Sequence, residues 1–566
     1  MSIKKDAACG TIIYLGVGGI HTEAWAQELK DKVLTWSIRQ NVEEAFNELK
    51  EHWIGKIWRG ELRQGKKLLT DQQLRNFFYS LWNLAREAEK KNISLIEINP
   101  IVIDLQGNMV ILDGVGVQNE EMAQSAPLPP PTIVAGSLLN PQRWAIVGVS
   151  EKEDSFGRKI LENLLTSQIP PQNIKIIKPN TSSLLGIECL PEIKSLVKNP
   201  VDALILALPA ASTVSLTKEL CEQGMGANIV YWVAGGIGDG ADHQGLGKDL
   251  SNYLSQRRAL GKWTPAFIGP NSLGVVLSPQ KSNTLFISPK RLAVNFAPQG
   301  NIAIVSQSGA FLITRLSRYS QLPIKYAFCV GNQLDVKANH FLEVFKSDPQ
   351  LDVIGLYLEG FSTNGVVELA EKIEELKKIN KKVVLYKGGR SQAGMQAAAG
   401  HTGSMAGNYQ IQKRVLAKSG AIITESFKEF TSALQWISCY PWFEKMAPIG
   451  LITNAGFESV SAADQPQQLV QLSERTKMKL AEILKKENLS GLVSPQNPLD
   501  LTPMAGPAAY VQSAMVMSEC SDILGFCLVP LTEKIRAFDD DSIKQMAQQL
   551  AELTKNKKIA LGVVVD

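Results

Sequence analysis

From residue 144 onward, short runs of branched apolar residues alternate with stretches in which apolar positions recur every three or four residues. The runs fall at 144–147, 174–177, 203–207, 229–233, 302–305, 383–386, 449–453, 523–529 and 559–565. Such runs suit strands buried on both faces, and the segments between them suit crossover helices, which together predict doubly wound parallel sheets. The first 120 residues read differently. A strand is predicted over 11–15, and a helix over 71–90 with Leu74, Phe77, Phe78, Leu81, Leu84 and Ala85 on one face. Two short strands, 93–98 and 109–112, follow as a hairpin closed by the turn at 106–108. The fold class is therefore α/β with several doubly wound domains, preceded by a smaller α+β domain.

The domains are expected at 1–122, 138–295, 296–440 and 441–566, with a proline-rich linker at 123–137 that contains Pro127, Pro129, Pro130 and Pro131. The 566 residues allow three or four domains of ~150 each. A hydrophobic share of 45% and a formal charge of +4 are ordinary, and no basic stripe with interleaved aromatics points to nucleic acid. No apolar run reaches the ~18 residues that span a bilayer, and no signal-like core follows the N-terminus. The 7 cysteines form no short paired pattern, which suits a reducing compartment and places the protein in the cytoplasm.

Candidate chemistry centres on His401, set in Ala397-Ala398-Ala399-Gly400-His401-Thr402-Gly403-Ser404. Glycines around an imidazole let a tetrahedral anion approach ring and backbone, and a following helix start favours negative charge. Two other stretches read as its partners. Ser306-Gln307-Ser308-Gly309 turns a strand into a helix, and Tyr357-Leu358-Glu359-Gly360 ends a strand on a carboxylate. A carboxylate that accepts one imidazole N–H fixes the tautomer and frees the other nitrogen for attack on phosphorus. Glu97, Asn99 and Asp113 are hard oxygen ligands near strand ends, suited to Mg2+ with nucleotide phosphates.

The second domain opens with Gly148-Val149-Ser150 after a strand, then Ser155 and Gly157 before a helix predicted over 158–165. That arrangement offers helix amides to a pyrophosphate. The next strand ends in Lys178-Pro179-Asn180 rather than on an acid, which argues against NAD and suits a phosphorylated ribose or pyrophosphate better than a ribose diol. A dehydrogenase is disfavoured for the same reason.

With these motifs the chain resembles the NDP-forming acyl-CoA synthetases, the superfamily of succinyl-CoA synthetase and ADP-forming acetate–CoA ligase. The resemblance rests on Gly400–Ser404, Ser306–Gly309, Tyr357–Gly360, Lys387-Gly388-Gly389-Arg390 and Gly269-Pro270-Asn271. It implies a Rossmann-like CoA-binding domain followed by two flavodoxin-like ligase domains. It also implies that His401 carries a phosphoryl group, that Glu359 orients it, and that Ser306, Ser308, Gly309, Gly403 and Ser404 receive phosphate. By the same resemblance CoA meets Gly148, Val149, Ser150, Ser155, Gly157, Lys178, Asn180, Pro209, Gly235 and Asn271, while Ser272 replaces a usual cysteine.

The N-terminal region resembles the C-terminal half of an ATP-grasp domain, with Glu97, Asn99 and Asp113 as magnesium ligands. Its nucleotide-gripping first half is not in the chain, and the last domain ends earlier than is usual. The resemblance thus implies an acid–CoA ligase, or a subunit of one, acting through an acyl phosphate and a phosphohistidine. Its partners would be CoA, a small carboxylic acid, ATP/ADP and a second subunit that completes the ATP-grasp unit, in an oligomer. The alternative is a non-catalytic CoA-binding or regulatory relative.

Overall fold

The first sheet is antiparallel throughout, with its N-terminal strand in the middle. In the computed structural model, residues 1–16, 33–62, 65–104, 106–118, 129–391, 393–394, 396, 408–443, 447–465, 468–529 and 539–565 are described. Strands β1 (Ser2–Asp6), β2 (Gly10–Gly16), β3 (Val33–Ser37), β4 (Ile93–Ile98) and β7 (Gly114–Gln118) take the order β3-β2-β1-β4-β7. The helix Asp71–Lys90 forms over the predicted span. Its start is fixed by a capping box between Thr70 and Gln73, and it buries Leu74, Phe78, Leu81, Trp82, Ala85 and Ala88. Leu84 is exposed instead, and Trp82 fills that part of the core.

The expected hairpin of 93–98 with 109–112 does not form. β4 pairs with β7, Glu97 opposite Val115, while β5 (Ile101–Ile103) pairs with β6 (Met109–Ile111) as a separate two-stranded arm. Pro100 has no N–H with which to continue the ladder, so the chain leaves the sheet after Ile98 and rejoins it at Gly114. β1 and β3 are also additions to the sequence reading.

The second sheet contains β8 (Trp144–Val147), β9 (Ile174–Ile177), β10 (Ser183–Leu184), β11 (Ile187–Leu190), β12 (Val201–Leu206), β13 (Ala227–Trp232) and β14 (Ala266–Ile268). Its order is β10-β11-β9-β8-β12-β13-β14, parallel except for β10 against β11. The third sheet runs β16 (Ser282–Asn283), β15 (Val275–Leu277), β18 (Ile324–Cys329), β17 (Ile302–Ser306), β19 (Val353–Leu358), β20 (Lys382–Lys387), β21 (Ala421–Thr424). The chain therefore changes sheets between Ile268 and Val275, ahead of the boundary expected after residue 295. Val275–Leu277 pairs antiparallel with β18, and so belongs to the later sheet.

In both parallel sheets the chain departs to one side of the first long strand and returns to the other. The switch points lie at the C-terminal ends of β8 and β17, where open α/β sheets bind ligands. The two sheets and the N-terminal domain share one compact unit, residues 1–438. Asn364 and Val366 donate backbone N–H groups to Ala7 and Ala8 carbonyls, at 2.8 and 3.1 Å. Arg414 donates to the Val33 carbonyl at the edge of β3, and Lys418 ion-pairs with Glu48.

The second unit, residues 439–566, holds a parallel sheet of β22 (Ile449–Thr453), β23 (Leu499–Asp500), β24 (Ile523–Leu528) and β25 (Ala560–Val565), in the order β23-β22-β24-β25. Ile452, Leu499, Leu524 and Phe526 meet Leu480, Ala514 and Leu550 of its helices in one core. Among the described residues no helix is long and apolar enough to cross a membrane.

Candidate functional site

At the end of β8, Gly148 takes φ +91°, and a Cβ there would lie 2.1 Å from the Ala207 carbonyl oxygen. Gly157 packs its helix on that same turn, where a Cβ would stand 2.4 Å from the Gly148 carbonyl oxygen. Ser155 caps this helix, Phe156–Leu165, through the Arg158 amide, so the helix starts two residues before the predicted span. Val149 is buried, and Ser150 accepts the Lys152 amide. Lys178 reaches back from the end of β9 to the Val149 carbonyl at 3.5 Å. Asn180 sits in the left-handed region two residues later, and Pro209 opens the helix after β12.

Gly235 and Asn271 meet beyond β13. A Cβ on Gly235 would lie 3.7 Å from Asn271 Oδ1, and the Asn271 amide donates to the Ala234 carbonyl at 2.7 Å. The ten residues assigned to CoA thus stand on turns and helix starts that follow β8, β9, β12, β13 and β14. Ser272 is buried. Its hydroxyl donates to the Cys329 carbonyl at 2.6 Å and accepts the Gly274 amide at 3.1 Å, so it ties the crossing between the two sheets.

The second switch point carries Ser306 at the end of β17 and Glu359 just past the end of the adjacent parallel strand β19. Ser306 Oγ accepts the Ser308 amide, and Ser308 Oγ accepts the Phe311 amide, which caps the helix Gly309–Arg318. The first amides of that helix have no intrahelical partner, and its dipole adds positive potential there. A Cβ on Gly309 would be only 3.0 Å from Leu273, which explains the residue.

Glu359 is half-buried and held from three sides. Tyr357 donates its hydroxyl to Glu359 Oε1 at 3.1 Å, and Gln307 Oε1 accepts the Glu359 and Gly360 amides. Lys387 donates to the carbonyls of Glu359, at 2.7 Å, and Gly388. Lys387 is 7% exposed, and burial lowers its pKa to about 8 against the opposing attraction of Glu359. Burial and the Glu359 charge both push the Tyr357 hydroxyl upward. Gln307 and Tyr357 were part of the recognised motifs but carried no assigned role, and only their proximity to Glu359 gives them one. His401, Gly403 and Ser404 lie outside the described residues, as do Gly18–Glu23.

The loop after β18 stitches the two sheets together. Asn332, Leu334 and Val336 donate amides to the carbonyls of Pro270, Gly269 and Phe267. Asp335 accepts two hydrogen bonds from the Arg258 guanidinium and one from the Phe267 amide.

In the first sheet, Glu97 and Asp113 are exposed at the same end, and the Asn99 amide donates to the Asp113 carbonyl at 3.2 Å. Among the described residues no group of three or more His, Cys, Asp or Glu is placed to hold a metal. Two carboxylates and an amide oxygen suit Mg2+, which usually takes part of its coordination from phosphate oxygens. All 7 cysteines are free thiols.

Residues 142–248 match the family model described as CoA binding domain, and residues 299–437 that of Succinyl-CoA ligase like flavodoxin domain. An ADP-forming acetate–CoA ligase of Methanocaldococcus jannaschii is 28% identical over 377 residues, 65% of this chain and 49% of that protein. The alpha subunit of ADP-forming acetate–CoA ligase I from Pyrococcus furiosus is 28% identical over 66% of this chain and 78% of its own length. The chain spans about half the length of the Methanocaldococcus jannaschii relative and of ADP-forming acetate–CoA ligase I from Archaeoglobus fulgidus. A solved dinucleotide forming acetyl-coenzyme A synthetase 1 from Ca. Korarchaeum cryptofilum, in complex with phosphate and ADP, shares the fold. It aligns with TM-score 0.62 at 23% identity, over 76% of this chain and 88% of its own. The glycine turn on β8, the capped turn on β17 and the anchored Glu359 thus stand within the two matched regions, and the chain is similar to the ADP-forming acetate–CoA ligases.

Proposed function

We propose that the chain is an acid–CoA ligase component that interconverts acyl-CoA, phosphate and ADP with free acid, CoA and ATP. In the direction of ATP formation, phosphate oxygen attacks the thioester carbonyl, the C–S bond breaks and CoA leaves, which gives an acyl phosphate. A His401 ring nitrogen then attacks its phosphorus and releases the carboxylate. The phosphoryl group passes from His401 to ADP. Splitting one hard transfer into two through a covalent carrier is what an activated imidazole offers.

Glu359 would accept the other N–H of His401 and stabilise its positive charge, and the helix start at Ser308–Gly309 would receive the phosphoryl oxygens. The CoA pyrophosphate and phosphorylated ribose would rest on the Gly148–Ser150 turn, the Ser155 helix start and Lys178. Asn180, Pro209, Gly235 and Asn271 would complete that surface. Glu97, Asn99 and Asp113 would hold Mg2+, which screens nucleotide phosphate charge. A partner chain would supply the first half of the nucleotide site, as expected for an alpha-type subunit, in the cytoplasm, where 7 free thiols stay reduced.

The observation that carries this reading is the threefold anchoring of Glu359 beside a capped helix start, one sheet away from the glycine turn at Gly148. The non-catalytic alternative is not favoured, because the relatives are named as ligases or ligase subunits. The test is incubation of the purified chain with acetyl-CoA, radiolabelled phosphate and Mg2+. Acid-labile, base-stable label is expected on wild type and absent from His401→Ala; label that persists in His401→Ala overturns the proposal.

A further inference from the structure

A cavity of about 320 Å³ lies between the C-terminal ends of the second and third sheets, walled by Gly238 on one side and by Gln307, Lys337 and Leu369 on the other. We infer that it binds the carboxylic acid of the reaction and selects acids with an apolar body larger than acetate. The inference rests on the ligase reading and names its substrate class.

Three observations carry it. The first is Gln307, 8% exposed and part of the wall. Its Oε1 is fixed by two backbone donors, the Glu359 and Gly360 amides, which only an oxygen can accept. Its Nε2 has no protein partner among the described residues, and as a donor on a lining residue it can serve an acceptor in the cavity.

The second is charge. Lys337 lines the cavity and makes no ion pair among the described residues, and no Asp or Glu is in the wall. The helices Ala338–Phe345 and Gly365–Lys378 both begin there. Their first amides are already used, Ala338 by Gln333 Oε1 and Gly365 by the Ser362 carbonyl, so these helices contribute field rather than donors. Gln307 and Lys337 both line the cavity, and each can donate to a carboxylate.

The third is size and lining. The remaining wall includes Leu334, Ala338, Leu358, Phe361 and Leu369. The volume is roughly ten times the ~30 Å³ share of one liquid water, so acetate would leave most of it wet. A branched or aromatic body displaces that water against the leucines and Phe361, while the carboxylate stays at the Gln307 end, next to the strand turn that carries Glu359.

The test is calorimetric titration of the full chain with acetate, isovalerate and phenylacetate. Isovalerate should bind more tightly than acetate by about fourfold per added methylene. Lys337→Met should weaken all three roughly tenfold to a hundredfold. Ala338→Leu should weaken isovalerate and phenylacetate while acetate is kept; Thr363→Trp, at an exposed position on the rim, should do the same without touching the core. Equal affinity for acetate and isovalerate, or affinities that none of the variants moves, overturns the inference. His401 labelling from isovaleryl-CoA, radiolabelled phosphate and Mg2+ is read in parallel. Size-dependent, Lys337-dependent binding without label keeps the pocket and removes the ligase reading; label with size-blind binding does the reverse.

Discussion

Gln307 holds Glu359 by the main chain: its side-chain oxygen accepts the amides of Glu359 and of Gly360, the latter at 3.2 Å, across the gap between β17 and β19. Replacement by leucine leaves two buried N–H groups without an acceptor. Gln307→Leu should therefore lose about 1–3 kcal/mol in urea unfolding, and its His401 labelling should fall by more than the fraction unfolded explains. Gln307→Glu keeps the acceptor, and should recover stability while it weakens carboxylate binding by like-charge repulsion.

Lys387 gives a pH signature. Its folded pKa, lowered to about 8 from 10.5, means that the folded chain binds fewer protons than the unfolded chain between those values. Stability should thus rise with pH from about 8 to 10.5, as the buried ammonium gives up its charge. Denaturation midpoints at pH 7.5 and 10 should differ by less in Lys387→Met than in wild type, with a gap on the order of 1–3 kcal/mol.

His340 predicts the acid limb. Its Nδ1 accepts the Lys337 amide, and burial, then the Lys337 charge, lower its pKa to about 4. Arg258 and Lys372 lower it further and Asp335 opposes them. The folded state resists protonation that the unfolded state accepts, so stability is complete above about 6.5 and declines as pH falls toward 4. His340→Asn should flatten the thermal midpoint over that window, which a melting series from pH 4 to 7 would reveal.

Arg258 and Asp335 test the seam between the sheets. Their side chains are 11% and 5% exposed, so removal of one partner strands a charge. Asp335→Ala should cost about 3–5 kcal/mol, whereas Arg258→Met with Asp335→Leu should restore much of it. The measurement is a double-mutant cycle by urea unfolding.

Gly148→Ala should abolish CoA binding. The added methyl would collide with the Ala207 carbonyl on a backbone at φ +91°, so strand and helix must part. Gly186→Ala, with φ +78° and no atom within 4 Å of the new methyl, is the control, and should bind CoA normally at slightly reduced stability.

Much of the parallel sheets was legible because strands such as β8, β17 and β20 are apolar and end in recognisable turns: Gly148–Ser150, Ser306–Gly309, Leu358–Gly360 and Lys387–Arg390. β14, β18 and β21 were not read, and in β18 the buried Lys325 interrupts the apolar run. β1 was not legible. Ile3 is its deeply buried residue while Lys4 and Lys5 stay exposed, so the central strand of the first sheet shows no period. β3 was hidden for the opposite reason, since Thr35 and Ser37 are polar yet buried. Gln307 looked like an ordinary turn residue, and nothing in its neighbours predicts that its amide spans to Glu359. Asp335 finds its partner 77 positions away, a distance that no local pattern crosses.

The rivets between the N-terminal sheet and the third sheet have a mechanical meaning. Slippage there would tear the Ala7 and Ala8 links to the helix at Gly365 and strip Arg414 and Lys418 from β3 and Glu48 in a single event. The Glu359 turn and the Glu97–Asp113 corner are therefore moored to one another, and no sliding of one sheet past the other brings them together.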